Sequence, residues 1–540
     1  MRRTQGWLVL ILAGSLAAAG CGGAASGKGG ARTSSEPLAG GTLVWGRGSD
    51  AVGLDPAHET DGESFKVCDN LYENLVGYDR KTTEVLPELA LAWEITPDGK
   101  TYTFHLRTGV RFHDGTPMNA DAVVFSLDRQ RNRTPAHPFH AVGGPYTYWS
   151  SMSMDDIVQD IRAVDESTVV FQLKRPNAPF VANLAMNFTA IVSPTAVRKY
   201  SEDYFKHPVG TGPFRFVEWV KDDRIVLERN PDYWREKPYL DRVVFRAIPE
   251  NTVRLLALQQ SDVQGMEGIS PLEARRIQRN PALDLERIPG MNVAYLAMRM
   301  DRPPFDRLEV RQAMNYAIDK KALVSGLYMG FGTPALNPIP PTMWGYDGQV
   351  VDYGYDPAKA RALLAQAGVA PGTKFVLNVM SAPRPYMPEP LKVAEAIQAD
   401  LHGVGLEAEI RTMEWGSYLN YIQSLKHQAC VIGWQGDNGD PDNFLYVLLD
   451  KEAARIPAQN YSAYKSEELH RVLIEAQTTS DAASRTELYH QAQEIVHRDA
   501  PWVPLAHMDL LAATRKTVHG LVLHPTSKLR LARVWIEPAS

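Results

Sequence analysis

Apolar and polar residues alternate over residues 101–107. Tyr102, Phe104 and Leu106 face one way, and Thr103, His105 and Arg107 the other. A period of two marks a strand with one buried face. Pro97-Asp98-Gly99, just before it, is turn chemistry, so the pattern predicts a hairpin. Residues 168–173, 224–227 and 242–247 read as further strands. The second half changes period. Asp356 and Pro357 suit an N-cap and a first helical position. Ala360, Leu363, Leu364 and Ala367 then form an apolar stripe that Gly368 closes. Residues 375–380 read as a strand, Val393, Ile397 and Leu401 recur at helical spacing, and residues 406–410 read as another strand. Strand, helix, strand predicts a parallel pair with a right-handed crossover. Residues 429–433 form one more short apolar strand, and the whole reads as mixed α/β.

The first twenty residues follow a different pattern. Arg2 and Arg3 are followed by an apolar run over residues 7–13 and then by Ala17-Ala18-Ala19-Gly20. This is the order of charge, apolar stretch and small residues found in a secretory signal. The run is too short to span a bilayer, and the arginine pair lacks the flanking pattern of a twin-arginine signal. Residues 16–21 resemble the lipobox of bacterial lipoproteins, which makes Cys21 the expected site of lipidation. A plain signal peptide with an incidental cysteine is the alternative. Residues 22–38 are rich in Gly, Ser and Ala, as a flexible tether should be. The expectation is a signal peptide over 1–20, a tether over 21–40, and a protein held outside the cytoplasm on a bacterial membrane by its acylated N-terminus.

At 540 residues the chain is too long for one compact core. With 44% hydrophobic and 22% charged residues it has an ordinary globular composition. Its formal charge of −6, reaching −8 once Arg2 and Arg3 are removed, argues against nucleic acid as a partner. Cys68 and Cys430 read as two buried free thiols, with a single disulfide as the open alternative. The sequence holds no G-x-S-x-G, H-E-x-x-H, C-x-x-C or phosphate-loop motif, and Gly46-Arg47-Gly48 does not complete a dinucleotide fingerprint. No catalytic residue, metal or cofactor is expected. His137 and His140 read as surface residues.

Two segments follow strands directly, where ligands bind in open α/β sheets. In Ser381-Ala382-Pro383-Arg384-Pro385-Tyr386 the prolines stiffen the backbone around a guanidinium, whose fork suits a carboxylate. In the stretch from Gly433 to Asp442, glycines permit close approach, Asp437 offers a carboxylate for an ammonium, and Trp434 offers a flat wall. A zwitterionic dipeptide needs one partner of each sign, held apart by its own length, roughly 5–7 Å between its charged ends. Arg384 can equally be a solvated loop residue, Trp434 core, and the acidic stretch a surface turn or a calcium-loop mimic through Asp437, Asp440 and Asp442.

Longer motifs carry a resemblance. Residues 97–107, Gly109-Val110-Arg111-Phe112-His113-Asp114-Gly115, Ala120–Ser126, Pro208–Phe214, Asn230-Pro231-Asp232-Tyr233-Trp234 and Val310–Ile318 resemble the bacterial family 5 solute-binding proteins. Residues 339–346, Arg384-Pro385-Tyr386 and residues 433–444 are similar to its dipeptide-binding members. The resemblance implies a two-lobed flytrap fold of type II with an extra subdomain in the first lobe. Residues 41–289 and 509–540 would form lobe I and residues 290–508 lobe II, with hinge crossings near 289–293 and 505–510. It implies that Arg384 binds a peptide carboxylate and Asp437 its ammonium, with Tyr386, Trp415 and Trp434 enclosing the ligand. Asp61 and Gly62 would face the cleft from lobe I, although Asp61 departs from the small polar residue expected there. The implied partners are a short peptide and the permease subunits of an ABC importer, for a monomeric protein with no enzymatic activity. Relatives that take glutathione, haem or nickel keep those ligands open as alternatives, and a hydrolytic enzyme is the rival from outside the binding class.

Overall fold

The computed structural model describes residues 36–537; the signal peptide expected over 1–20, Cys21 and the tether up to residue 35 lie outside the described residues. Two large sheets organise the described chain. One runs in the order Leu283–Ile288, Leu510–Arg515, Gly265–Met266, Thr42–Arg47, Arg242–Ala247, Arg224–Arg229, Phe214–Val220. The other runs Gly332–Pro334, Trp502–Met508, Asn292–Met298, Ala429–Gln435, Thr373–Met380, Leu406–Met413. A four-stranded sheet from the first half adds Ala90–Ile95, Thr101–Leu106, Thr168–Leu173 and Val158–Asp165. No helix among the described residues is long and apolar enough to cross a membrane.

The alternating stretch behaves as its pattern predicts. Ala90–Ile95 and Thr101–Leu106 pair antiparallel around a turn in which Gly99 takes φ +66°. Tyr102, Phe104 and Leu106 are buried, and the Phe104 ring meets Phe171 edge-on at 5.5 Å. The predicted crossover also forms. Thr373–Met380 and Leu406–Met413 run parallel, joined by the helix Pro390–His402, whose Val393, Ile397 and Leu401 are fully buried. The Asn292–Met298 strand at the centre of this sheet is buried at every position. A strand covered on both faces needs no alternation, and its sequence NVAYLAM shows none.

The centre of the seven-stranded sheet is Thr42–Arg47. The buried Trp45 ring lies where a side chain on Gly265 would collide with it. Arg47 is also buried. It donates to the Glu63 carbonyl at 2.8 Å and to Asp50 at 3.1 Å. Lys66 bridges Glu63 at 3.1 Å and Glu267 at 2.8 Å. These contacts fix the helix Gly62–Leu71 against the end of the central strand. The Arg254 side chain fills the space over Gly46 and Gly48.

The chain passes between the two large sheets twice, at Ile288 to Asn292 and at Met508 to Leu510. Asn292 ties the passages together. Its side-chain amide donates to the Met508 carbonyl at 2.7 Å, and its oxygen accepts from the Met508 amide at 2.9 Å. Cys68 and Cys430 are buried and free. His137 and His140, expected at the surface, are half-buried and held by contacts there. His137 packs edge-on to Phe125 at 5.1 Å, and His140 Nδ1 bonds the Arg129 carbonyl at 2.9 Å, because their loop folds back over the helix Ala120–Asp128.

One ion pair in this region is fully enclosed. Arg129 grips Asp55 with two bonds of 2.7 and 2.9 Å, and both side chains are buried. Burial alone would raise the Asp55 pKa, but the Arg129 charge and hydrogen bonds outweigh it and hold the carboxyl below its ordinary value. The stability this pair contributes is therefore present above the ordinary carboxylate range and lost as pH falls below it, towards the lowered pKa of the folded state. Arg129→Met is expected to lower stability by about 3–5 kcal/mol, because it strands a buried charge. The double variant Asp55→Leu/Arg129→Met should recover much of that loss. Guanidinium unfolding midpoints check both, and a single variant as stable as the wild type would show that the pair is not needed.

Candidate ligand-binding site

The segment after the Ala429–Gln435 strand is a closed, internally bonded loop. Asn443 Oδ1 accepts from Trp434 Nε1 at 3.1 Å and from the Asp437 amide at 3.0 Å. A side chain on Gly436 would press into Phe444 and Met291, so the loop lies tight against the passage between the sheets. The Gly436 amide donates to the Met291 carbonyl at 2.8 Å. Asp440 is committed to Arg485 at 2.9 Å and to the Tyr489 hydroxyl at 3.0 Å. Asp442 accepts from Gln477 at 3.0 Å. The calcium-loop alternative thus loses two of its three carboxylates, and no group of three or more metal-ligating side chains occurs among the described residues.

Asp437 is the carboxylate that remains. Its Oδ1 accepts from the Tyr148 hydroxyl at 2.9 Å, and its Oδ2 is shielded from solvent without a partner. Burial pushes its pKa up to about 7; the bonds from Tyr148 and Asn443 and the charge of Lys528 pull the other way but do not cancel the rise. A carboxyl in this state is poised to accept a cation.

Arg384 sits on the neighbouring segment, after the Thr373–Met380 strand. Its backbone pairs with Met387 through bonds of 3.0 and 2.9 Å, a small closed turn set by the flanking prolines. The guanidinium lies over the Trp415 ring at 3.6 Å. Its Nε is shielded without a partner, and its side chain forms no ion pair among the described residues. Burial lowers its pKa, partly offset by the charges of Tyr386, Asp61, Glu414 and Glu63. Two half-buried groups of opposite charge, each with one shielded and partnerless atom, therefore stand on adjacent loops of one sheet.

The other predicted residues divide by position. Trp434 and Trp415 are half-buried beside these loops. Tyr386 is only 5% exposed. Its ring lies against Gly433, and its carbonyl accepts from Tyr328 at 3.0 Å, so it fastens the two loops together. Asp61 caps the helix Gly62–Leu71, accepting from the Glu63 amide at 2.8 Å and from the Ser64 amide at 3.3 Å. That capping role is met by a carboxylate as well as by a small polar residue. Gly62 is exposed, with open space where a side chain would be.

Tyr148 is the main residue that the sequence reading missed. It lies 289 residues from Asp437, in an aromatic stretch with no distinguishing motif. Phe188 stacks on it at 6.0 Å and Phe65 meets it edge-on at 5.7 Å, which aims its hydroxyl. Asn183 likewise receives the Asn438 side-chain amide at 2.8 Å, and the Pro525 carbonyl receives Gln435 at 2.9 Å.

Comparison with known proteins places the chain in a family and a fold. A model of the bacterial extracellular solute-binding proteins, family 5, middle region, matches residues 84–455. The dipeptide-binding protein of Escherichia coli K12 is 40% identical over 513 residues, 92% of this chain and 95% of that protein. Heme-binding protein A of Haemophilus influenzae is 37% identical over 512 residues, 92% of each chain. Among solved structures, an ABC transporter-associated periplasmic binding protein from Helicobacter pylori, in complex with the peptide STSA, matches with a TM-score of 0.84 and 39% identity. That match covers 93% of this chain and 99% of the other. The fold is the two-lobed, type II binding-protein fold expected from the sequence motifs. On the length and strength of these matches, the chain belongs to the bacterial extracellular solute-binding proteins of family 5.

Proposed function

We propose that this protein captures short peptides, with dipeptides as the best fit, and delivers them to the permease of an ABC importer. The observation that carries the reading is the pair of shielded, partnerless groups, Asp437 Oδ2 and Arg384 Nε. A buried charge left unsatisfied is costly. A peptide supplies the missing ammonium at one end and the missing carboxylate at the other, and the charge-assisted bonds it forms strengthen as water leaves. A relative 40% identical is named for dipeptide binding, and a similar structure holds a peptide. Tyr148 would hold Asp437 in place from across the cleft. Trp415 would hold Arg384 from beneath, while Trp434 and Tyr386 wall the cleft between them. Asp61 and Gly62 would border it from the other lobe.

In this reading residues 41–289 and 509–540 move against residues 290–508, with the two passages near 289–293 and 505–510 as the hinge. Ligand favours the closed form only to the extent that it binds that form more tightly. Acylation at Cys21 would keep the monomeric protein beside its permease, on the outer side of a bacterial membrane.

Calorimetric titration tests the reading directly. Dipeptides should bind, and acetylating the N-terminus or amidating the C-terminus should abolish binding. Glutathione and haemin serve as rival ligands, and either one binding in place of dipeptides would overturn the peptide assignment. Arg384→Ala should weaken dipeptide binding by about 2–5 kcal/mol, the cost of stranding one member of a buried charge pair. An unchanged Kd would reject the role of Arg384.

The raised pKa of Asp437 gives a pH signature. The free site is half protonated near pH 7, and a ligand ammonium favours the ionised form. Binding should therefore release a proton below that pH, and affinity should fall as pH drops, by up to about 1.4 kcal/mol per unit. Asp437→Asn should bind weakly and lose this dependence. Titrations from pH 5 to 8, in buffers of different ionisation heat, count the protons; a flat profile in the wild type would contradict the assignment.

A further inference from the structure

Gln477 stands where the layer of the four-stranded sheet meets the helices beyond the Asp437 loop. It lies in the last turn of the helix Glu467–Thr478 and is only 2% exposed. Its side-chain amide bridges opposite charges. The nitrogen donates to both oxygens of Asp442, at 3.0 and 3.3 Å, and the oxygen accepts from the Arg175 guanidinium at 3.0 Å. Its backbone carbonyl accepts from the Ala178 amide at 2.7 Å. Arg175 and Ala178 follow the Thr168–Leu173 strand of the four-stranded sheet. Asp442 opens the helix Asp442–Leu449, just after the Asp437 loop.

The two charges fix the direction of this amide. Turned round, it would set oxygen against carboxylate and nitrogen against guanidinium. One neutral side chain thus fastens a cation of one layer to an anion of the other. A second contact runs beside it. The Asn438 side-chain amide donates to Asn183 Oδ1 at 2.8 Å and to the Met186 sulfur at 3.4 Å. Residues 175–186 are therefore bonded both to Gln477 and to the loop that carries Asp437. None of these bonds uses the Asp437 carboxylate or Arg384.

We propose that Gln477 is a positioning residue for the peptide cleft: a clasp that holds the four-stranded layer against the Asp437 loop and slows ligand release without touching the ligand. The clasp contains no ligand group, so it forms in the empty protein as well. Its effect on release rests on the peptide reading above; its closure does not. Release requires the layers to part, and the clasp must open first. Capture precedes its closing, so the clasp acts on dissociation rather than on association.

Hydrogen exchange on the full, ligand-free chain tests the clasp by itself. Gln477→Ala and Arg175→Ala remove opposite sides of the contact. Each should raise exchange over residues 177–184 about tenfold, while the strand Thr101–Leu106 keeps its protection. Exchange equal to the wild type in both variants overturns the clasp. Gln477→Glu should open it too, by setting two carboxylates together. Gln477→Glu/Asp442→Asn should close it again, because the reversed pair restores one donor and one acceptor. A mere packing defect would not be rescued, so a double variant that exchanges as fast as Gln477→Glu also overturns it. Stopped-flow measurement with alanyl-phenylalanine then reads the consequence. Gln477→Ala should release it about tenfold faster, with the association rate changed by less than about twofold. Equal release rates overturn the role in holding ligand. A wild type that binds no dipeptide removes the peptide reading, and the exchange result still decides the clasp.

Discussion

The chain joins its two large sheets at two places only a few residues long, and those places are bound to each other. Asn292 makes with Met508 the pair of hydrogen bonds that a neighbouring strand would make, so one side chain continues the pairing where the sheets part. The loop that carries Asp437 hangs from the same point. Gly436 donates to the Met291 carbonyl at 2.8 Å, and Gln435 reaches that carbonyl at 3.2 Å and Pro525 at 2.9 Å. Asp437 is the next residue. The charge at one end of the site is thus built onto the joint between the sheets, and a rotation there changes where that carboxylate points.

Contacts from the first half of the chain close around this loop. Tyr148 bonds the Asp437 carboxylate, Asn183 receives Asn438, and the Ala178 amide donates to the Gln477 carbonyl at 2.7 Å. Around them the interior is dry enough to lift the Asp437 pKa to about 7 and to lower that of Arg384. In the proposed function, the same enclosure that makes these charges costly in isolation would make them selective, since a neutral ligand would leave both partnerless atoms unmet.

Much of this was readable in advance where local physics decides the outcome. The alternation over residues 101–107, the N-cap at Asp356 and the helical spacing of Val393, Ile397 and Leu401 each have one natural answer, and each formed as expected. Arg384 and Asp437 could be singled out because charge, stiffened backbone and glycine-rich loop coincide just after strands. The Asn292–Met298 strand escaped notice because burial on both faces erases periodicity. Tyr148 escaped because nothing in its neighbourhood distinguishes a tyrosine that packs from one that reaches across 289 residues to a carboxylate. The contacts that hold His137 and His140 half-buried were hidden for a similar reason, since a polar loop folding back on its own helix leaves no pattern.

Both large sheets take a strand from near the end of the chain: Trp502–Met508 enters one, and Leu510–Arg515 lies second from the edge of the other. Leu510–Arg515 pairs with Leu283–Ile288, more than two hundred residues upstream. Neither sheet can be completed until this late segment exists. A ribosome releases the N-terminus first, so the growing chain carries two unfinished sheets for nearly the whole of its synthesis. The order of strands thus ties the completion of both sheets to one segment, and each sheet keeps an open gap until that segment is made.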